Sequence, residues 1–147
     1  MWALICVCLA AYLNLFTAFT RYYFHDYPEQ IGIYNQESFA EALNYIHASG
    51  RGGKNIVVTK FNMAYIYVLF YTGYPPDRFV RTVVYDDPGA EFRQVQSFGR
   101  YRFKDFGAPV APQADTFYLV ENDKAGNLPG DQAKVIRRVK RFTVLEY

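Results

Sequence analysis

The sequence predicts an α/β protein: one N-terminal transmembrane helix, then a water-soluble domain with a mixed sheet. Three observations carry this. The run Trp2–Phe19 (WALICVCLAAYLNLFTAF) holds no charged side chain. Between Ile56 and Tyr85, two compact β-branched runs flank an aromatic one, in the order strand, helix, strand. Beyond Gly89 the apolar runs shorten and partly alternate, giving a β-rich C-terminal part. The soluble region therefore reads as a sandwich, Rossmann-like at its start and mixed in strand direction towards its end.

At about 1.5 Å per residue, the first run makes a helix of roughly 27 Å, close to the ~30 Å hydrocarbon core of a bilayer. Arg21 closes it. The cluster Tyr22-Tyr23-Phe24-His25-Asp26-Tyr27-Pro28 follows, with aromatics suited to headgroup level. A signal peptide and a buried core helix are the rival readings. A signal peptide needs a positive start and a small-x-small cleavage site. Met1-Trp2 carries no side-chain charge, and no Ala-x-Ala lies near Phe19. Cys6 and Cys8, two residues apart, point to different sides of a helix, which disfavours a disulfide or metal pair. The expected division is a membrane helix at residues 1–20, a juxtamembrane linker at 21–35 and a soluble α/β domain at 36–147. The last portion, ~110 residues, suffices for one core and is too short for two. Aromatics are 19% of the 147 residues, which argues for a packed domain. A net charge of +2 does not call for a nucleic-acid partner.

Each element has its own signal. Ile31–Asn35 suggests a short extended piece. Gln36–Ala48 reads as a helix, because Phe39, Ala42, Leu43 and Ile46 recur on one face; Asn35 would cap it and Glu37 suits its first turn. Gly50-Arg51-Gly52-Gly53 ends it. Ile56–Thr59 lacks alternation, as a strand covered on both faces does. Met63–Tyr71 is apolar nearly all round; Asn62 as N-cap and Gly73 as stop favour helix. Tyr74–Asp77 reads as a turn and Phe79–Tyr85 (FVRTVVY) as the next strand, closing a right-handed βαβ unit. Glu91–Gln96 and Phe98–Phe103 are short strand candidates around Gly99. Asp105–Gln113, with Gly107, Pro109 and Pro112, is a loop. Thr116–Glu121 is a strand, Asn122–Gln132 is turn-rich, and Val135–Arg138 and Phe142–Tyr147 are closing strands.

Candidate chemistry is sparse. Gly50–Lys54 lies after a helix and before a strand, the reverse of a phosphate-cradling loop. Thr59, Lys60 and Asn62 follow one presumed parallel strand and Asp86-Asp87 the other, where open α/β sheets hold ligands. These five are the candidate ligand-binding residues. The two aspartates also precede Pro-Gly, which is ordinary turn chemistry, and no metal site is assigned. His47 falls near a helix end, where a partly charged imidazole suits the dipole. Lys134, Arg137, Arg138, Lys140 and Arg141 form a basic cluster, of which Arg137, Arg138, Lys140 and Arg141 are the candidates for contact with anionic lipid headgroups, although strand alternation would split the cluster between two faces.

The layout resembles the C-terminal end of bacterial family 39 glycosyltransferases, multi-spanning enzymes related to protein O-mannosyltransferases and to the aminoarabinose transferase that modifies lipid A. The carrying features are an apolar helix running into YYFHDYP, then FAEALNYIHASG, NIVVT and AYIYVLFYTGYPPDRF. FGRYRF, DTFYLVE and VKRFTVLEY follow. The likeness covers essentially all of Met1–Tyr147 and is one of layout, with no single diagnostic motif. It implies a C-terminal piece of an enzyme that moves a sugar from a polyprenyl-phosphate carrier to an acceptor, with Met1 internal or a misassigned start. It also implies a bacterial inner-membrane location, with the soluble domain on the periplasmic or extracellular side. The partners would be membrane lipid, the enzyme's other transmembrane helices, the carrier-linked sugar and the acceptor. The catalytic acid and any divalent metal would belong to the parent enzyme's other parts; no cofactor and no catalytic residue is assigned to this chain. Covering the active site, or helping to hold acceptor or carrier, is the expected role. The alternative is a stand-alone, single-pass anchored or secreted α/β binding module.

Overall fold

In the computed structural model, residues 2–34, 37–50, 52–91, 93–129 and 133–147 are described. The chain divides into two units, one ending at Glu37 and the other running Ser38–Tyr147.

The first unit is helical over residues 2–34. Helix α1 (Trp2–Arg21) passes through a π-helical turn (Tyr22–Asp26) into α2 (Tyr27–Tyr34). The combined stretch Trp2–Gly32 spans 31 residues with a mean hydropathy of 2.0 in its most apolar window, long and apolar enough to cross a membrane. Residues 21–34 are thus helix, where the sequence suggests a linker and a short extended piece. The reason lies at Pro28. A proline inside a helix donates no hydrogen bond and crowds the preceding turn. The wider turn just before it, in which the Tyr27 N–H donates to the Tyr22 carbonyl, accommodates this without ending the helix. Stacked rings of Phe19, Tyr23 and Tyr27 run along one side of this turn, with centroids 5.8 and 5.7 Å apart. The hydroxyls of Thr17 and Thr20 donate to the carbonyls four residues back, at 2.7 and 2.8 Å.

The second unit is a seven-stranded mixed sheet with helices on one face. Its elements are α3 (Glu37–Ala48), β1 (Asn55–Thr59), α4 (Ala64–Thr72), α5 (Pro76–Thr82), β2 (Val84–Tyr85), β3 (Val95–Phe98), β4 (Tyr101–Lys104), β5 (Thr116–Glu121), β6 (Lys134–Arg138) and β7 (Phe142–Glu146). The strand order is β2-β3-β4-β1-β5-β7-β6. Only β4, β1 and β5 run parallel to one another; the remaining pairings are antiparallel. The expected mixed sheet is present.

The period-two rule sorts the two faces. Ile56 and Val58 of β1 share a core with Phe39, Ala42, Leu43 and Ile46 of α3 and with Ala64 and Val68 of α4. Val57 points the other way, into a smaller core with Phe106, Val110, Tyr118, Leu128 and Leu145. Strand β1 is therefore covered on both faces, as its lack of alternation predicts. Loops, however, provide most of the second cover. Phe39 is the hub of the larger core, its ring meeting Phe142 at 5.4 Å, Phe61 at 5.5 Å and Tyr67 at 6.2 Å.

Two local expectations are corrected. Phe79–Tyr85 is not a strand: α5 runs through Thr82, and only Val84–Tyr85 pair, antiparallel and at the sheet edge. The expected βαβ closure to this segment is accordingly absent, and β1 finds its parallel neighbours in β4 and β5. Pro76 opens α5 with its ring already at helical φ, Asp77 sits in the first turn, and Arg81 four residues on pairs with it. Helical spacing also puts Phe79 and Val83 together against the core while Val80 faces solvent. The second correction concerns Asn62, which does not cap α4. Met63 holds that position in the left-handed region at φ 56°, with no side-chain cap. Asn35 lies outside the described residues. Gly99 is required in the β3–β4 turn for two reasons: its φ is +51°, and a methyl group there would collide with the Tyr74 hydroxyl.

Burial separates two phenylalanines. Phe39 is fully buried, whereas Phe70 on α4 is 77% exposed. Phe39→Ala should cost about 3–5 kcal/mol. Phe70→Ala should fall within about 0.5 kcal/mol of the parent protein. Urea titrations of the full chain in detergent, followed by circular dichroism, check both; comparable losses would contradict the packing described.

Candidate functional site at the carboxyl edge of the central strands

Strands β1 and β4 are parallel neighbours whose chains leave the sheet in opposite directions. After Thr59 the chain enters the helix layer through Phe61, and after Lys104 it crosses the other face through Phe106 and Val110. In open α/β sheets, the carboxyl ends of strands that diverge in this way are where ligands are held. The Lys60 N–H donates to the Lys104 carbonyl at 2.9 Å, fixing this edge.

Sequence-picked residues meet here. Lys60 Nζ and the Asp86 carboxylate form an ion pair across 26 residues of sequence. Thr59, just before Lys60, is fully buried, and its Oγ1 has no hydrogen-bond partner among the described residues. Asp87 is turned aside: its Oδ1 accepts from the Gly89 N–H at 2.9 Å, an Asx turn. Asn62 is exposed. With Asp86 paired to a lysine and Asp87 engaged in a turn, these carboxylates do not form a divalent-ion site. Among the described residues no group of three or more His, Cys, Asp or Glu is placed to hold a metal.

The C-terminal cations are dispersed. Arg137 donates to Glu41 Oε1 at 2.8 Å, and its guanidinium lies 5.5 Å from the centre of the Tyr45 ring. Arg141 donates to Glu121 Oε1 at 2.8 Å, and Lys124 reaches the other oxygen at 2.6 Å. Burial pushes the Glu121 carboxyl up, but those two cations outweigh it and hold it below the usual carboxylate range. The Lys140 carbonyl accepts from Asn122 Nδ2 at 3.0 Å. Arg138 is exposed on the sheet-edge strand β6.

Two groupings have no counterpart in the sequence reading. One is the cluster of His47, Arg100 and Tyr101. Arg100 donates to His47 Nδ1 at 3.3 Å, and Tyr101 Oη lies 2.9 Å from Nε2. A guanidinium can only donate, so Nδ1 accepts and Nε2–H faces the tyrosine oxygen. Burial, with the Arg100 charge, pushes the imidazole pKa down. Both effects disfavour the charged form that a helix end would favour. The second grouping is a groove of about 380 Å³ on the loop-covered face, where Arg102 and Lys104 stand beside Gln96, Ser97 and Gln113. Its signal in the sequence is the alternation Tyr101-Arg102-Phe103-Lys104, which turns both cations to one face.

Compared with known proteins, the chain matches no family model, no curated sequence and no solved structure.

Two measurements test these assignments. The pKa of His47 is lower in the folded protein than in the unfolded chain, so the unfolded chain takes up the extra proton. Stability should be fullest above the ordinary histidine value of 6.5 and should fall as pH drops from there towards the depressed folded value. His47→Gln should flatten that part of the curve and leave the Glu121-dependent loss below pH 4.5 in place. The orphaned Thr59 hydroxyl makes a separate case. Thr59→Val keeps the shape and removes an unsatisfied buried group, and should stabilise by about 1 kcal/mol. A loss in the same urea titration would mean that the hydroxyl is bonded in solution.

Proposed function

We propose that this chain is the membrane-anchored C-terminal domain of a polyprenyl-phosphate-sugar-dependent glycosyltransferase. In this reading it covers the active site or helps to hold acceptor or carrier, while catalysis belongs to the enzyme's other parts. The observation that carries the reading is one junction. A 31-residue apolar helix leads, within a few residues, into an α/β unit with its own core. The apolar row Met63, Ile66 and Phe70 on the outer side of α4 supports it, since an anchored domain has lipid or neighbouring transmembrane helices within reach. The α/β unit is assigned to the periplasmic or extracellular side of a bacterial inner membrane. The Rossmann-like character of the parallel strands and the headgroup contacts of Arg137, Arg138, Lys140 and Arg141 belong to the same proposal. The second reading, a stand-alone anchored binding module, draws on the open groove beside β4.

Expressed in bacteria, the full chain should stay with the membrane through alkaline carbonate extraction and keep its N-terminus by mass spectrometry. A C-terminal alkaline phosphatase fusion should be active, as it is only outside the cytoplasm. Release of a chain shortened by about 20 residues would point instead to a cleaved signal. The genomic DNA upstream of Met1 separates the two readings. A long hydrophobic-rich frame running into Met1 is expected for the transferase; a stop codon and ribosome-binding site beside Met1 would overturn it in favour of the module.

A further inference from the structure

We infer that the groove beside β4 binds a phosphate group, held by Arg102 and Lys104. The two side chains lie on one face of β4, with Ser97 directly across from Arg102 on β3. Both are exposed, and neither makes an ion pair or side-chain hydrogen bond among the described residues. This sets them apart from Lys54, Lys60, Arg81, Lys124, Arg137 and Arg141, each of which meets a carboxylate. It also sets them apart from Lys134 and Arg138, which stand on the outermost strand β6. Charge there has a separate use, keeping an open sheet edge from pairing with another chain. Strand β4 is flanked on both sides and needs no such protection.

The groove has the composition of a ligand site. Val57, Val110 and Tyr118 give it apolar walls, and Gln96, Ser97 and Gln113 add neutral hydrogen-bonding groups. Among the described residues no carboxylate lines it. The nearest acid in sequence, Asp105, accepts from the Gly107 N–H at 3.0 Å. The Gln113 N–H donates to Tyr118 Oη at 2.7 Å, which ties the loop that forms one wall to the sheet. A guanidinium and an ammonium on one side, with amide and hydroxyl donors around them, suit the tetrahedral oxygens of a phosphate. That phosphate can belong to a small soluble ester or to a lipid headgroup. The assignment rests on the groove alone and holds whether or not the chain is part of a larger transferase.

Hydrogen exchange on the full chain in phosphatidylcholine nanodiscs tests it, with glycerol 3-phosphate added in one arm and phosphatidylglycerol included in the disc in the other. Saturable protection of residues 95–104 and 110–113 is expected in at least one arm, and which arm responds identifies the source of the phosphate. The double variant Arg102→Gln/Lys104→Gln should weaken it about tenfold or more, the scale of a lost charge-assisted bond. Arg102→Lys with Lys104 intact should keep part of the binding. Arg78→Gln/Arg81→Gln removes the same charge from α5, on the opposite face of the sheet, and should change nothing. Protection absent from both arms, undiminished in the groove variant, or equally lost in the α5 control would overturn the inference. Circular dichroism of each variant identifies any that fails to fold, and the Arg102→Lys result then decides.

Discussion

The α/β unit depends on seating one ring. Phe39 lies at the start of α3, yet its closest aromatic neighbours come from residues 61 and 142. Hydrogen bonds on either side reinforce the same long-range closure. Ser38 Oγ accepts from the Arg141 N–H at 3.1 Å, and Glu41 accepts from Arg137. The first helix of the unit is thus pinned to its last hairpin. A contact spanning about a hundred residues costs loop entropy to close, and this one ties the two ends of the unit together.

The connections determine what each face of the sheet can carry. Between β1 and β2 the chain has the apolar content to form α4 and α5, and these complete the layer that α3 begins. Between β4 and β5 it has Gly107, Pro109 and Pro112, which no helix interior tolerates well. That segment crosses the second face as a loop, anchored by Phe106 and Val110. A loop covers less area than a helix. The centre of the face, at Val57, Tyr118 and Leu145, is sealed, while the part over β3 and β4 stays open. The open part holds the groove that Arg102 and Lys104 line.

Much of this architecture was legible in the residues, wherever one period dominated. Phe39, Ala42, Leu43 and Ile46 could only make one face of a helix, and all four are buried. The uninterrupted run at Ile56–Thr59 belonged to a strand covered on both sides. Segment 79–85 was misread because Val80, Val83 and Val84 suggest a strand by composition. Pro76, Asp77 and Arg81 were the better signal, since they act at the ends where a short helix is decided. Of the site, the sequence located the strand end at Thr59 and Lys60, and it named Asp86. It could not foresee that Asp86 would close on Lys60. Nor could it foresee that the hairpin tip would bring Arg100 to His47, 53 residues away. Alternation alone reveals that Arg102 and Lys104 share a face. Whether that face is open depends on how far a distant loop reaches.

Local and long-range partners both satisfy polar groups in this chain. In the helical unit, the hydroxyls of Thr17 and Thr20 are served by the backbone of the same turn, so the helix needs no partner for them. In the α/β unit three charged groups are served from afar, Lys60 by Asp86, Arg137 by Glu41 and Arg141 by Glu121. Long-range pairing of this kind makes the position of each cation a property of the whole fold. A cation left without such a carboxylate is then informative according to where it stands. On edge strand β6, solvation and protection of the edge are sufficient reasons for it. On an inner strand, inside a concave surface with no acid in its lining among the described residues, they are not. The chemistry that remains for Arg102 and Lys104 is attraction for an anion brought from outside the chain.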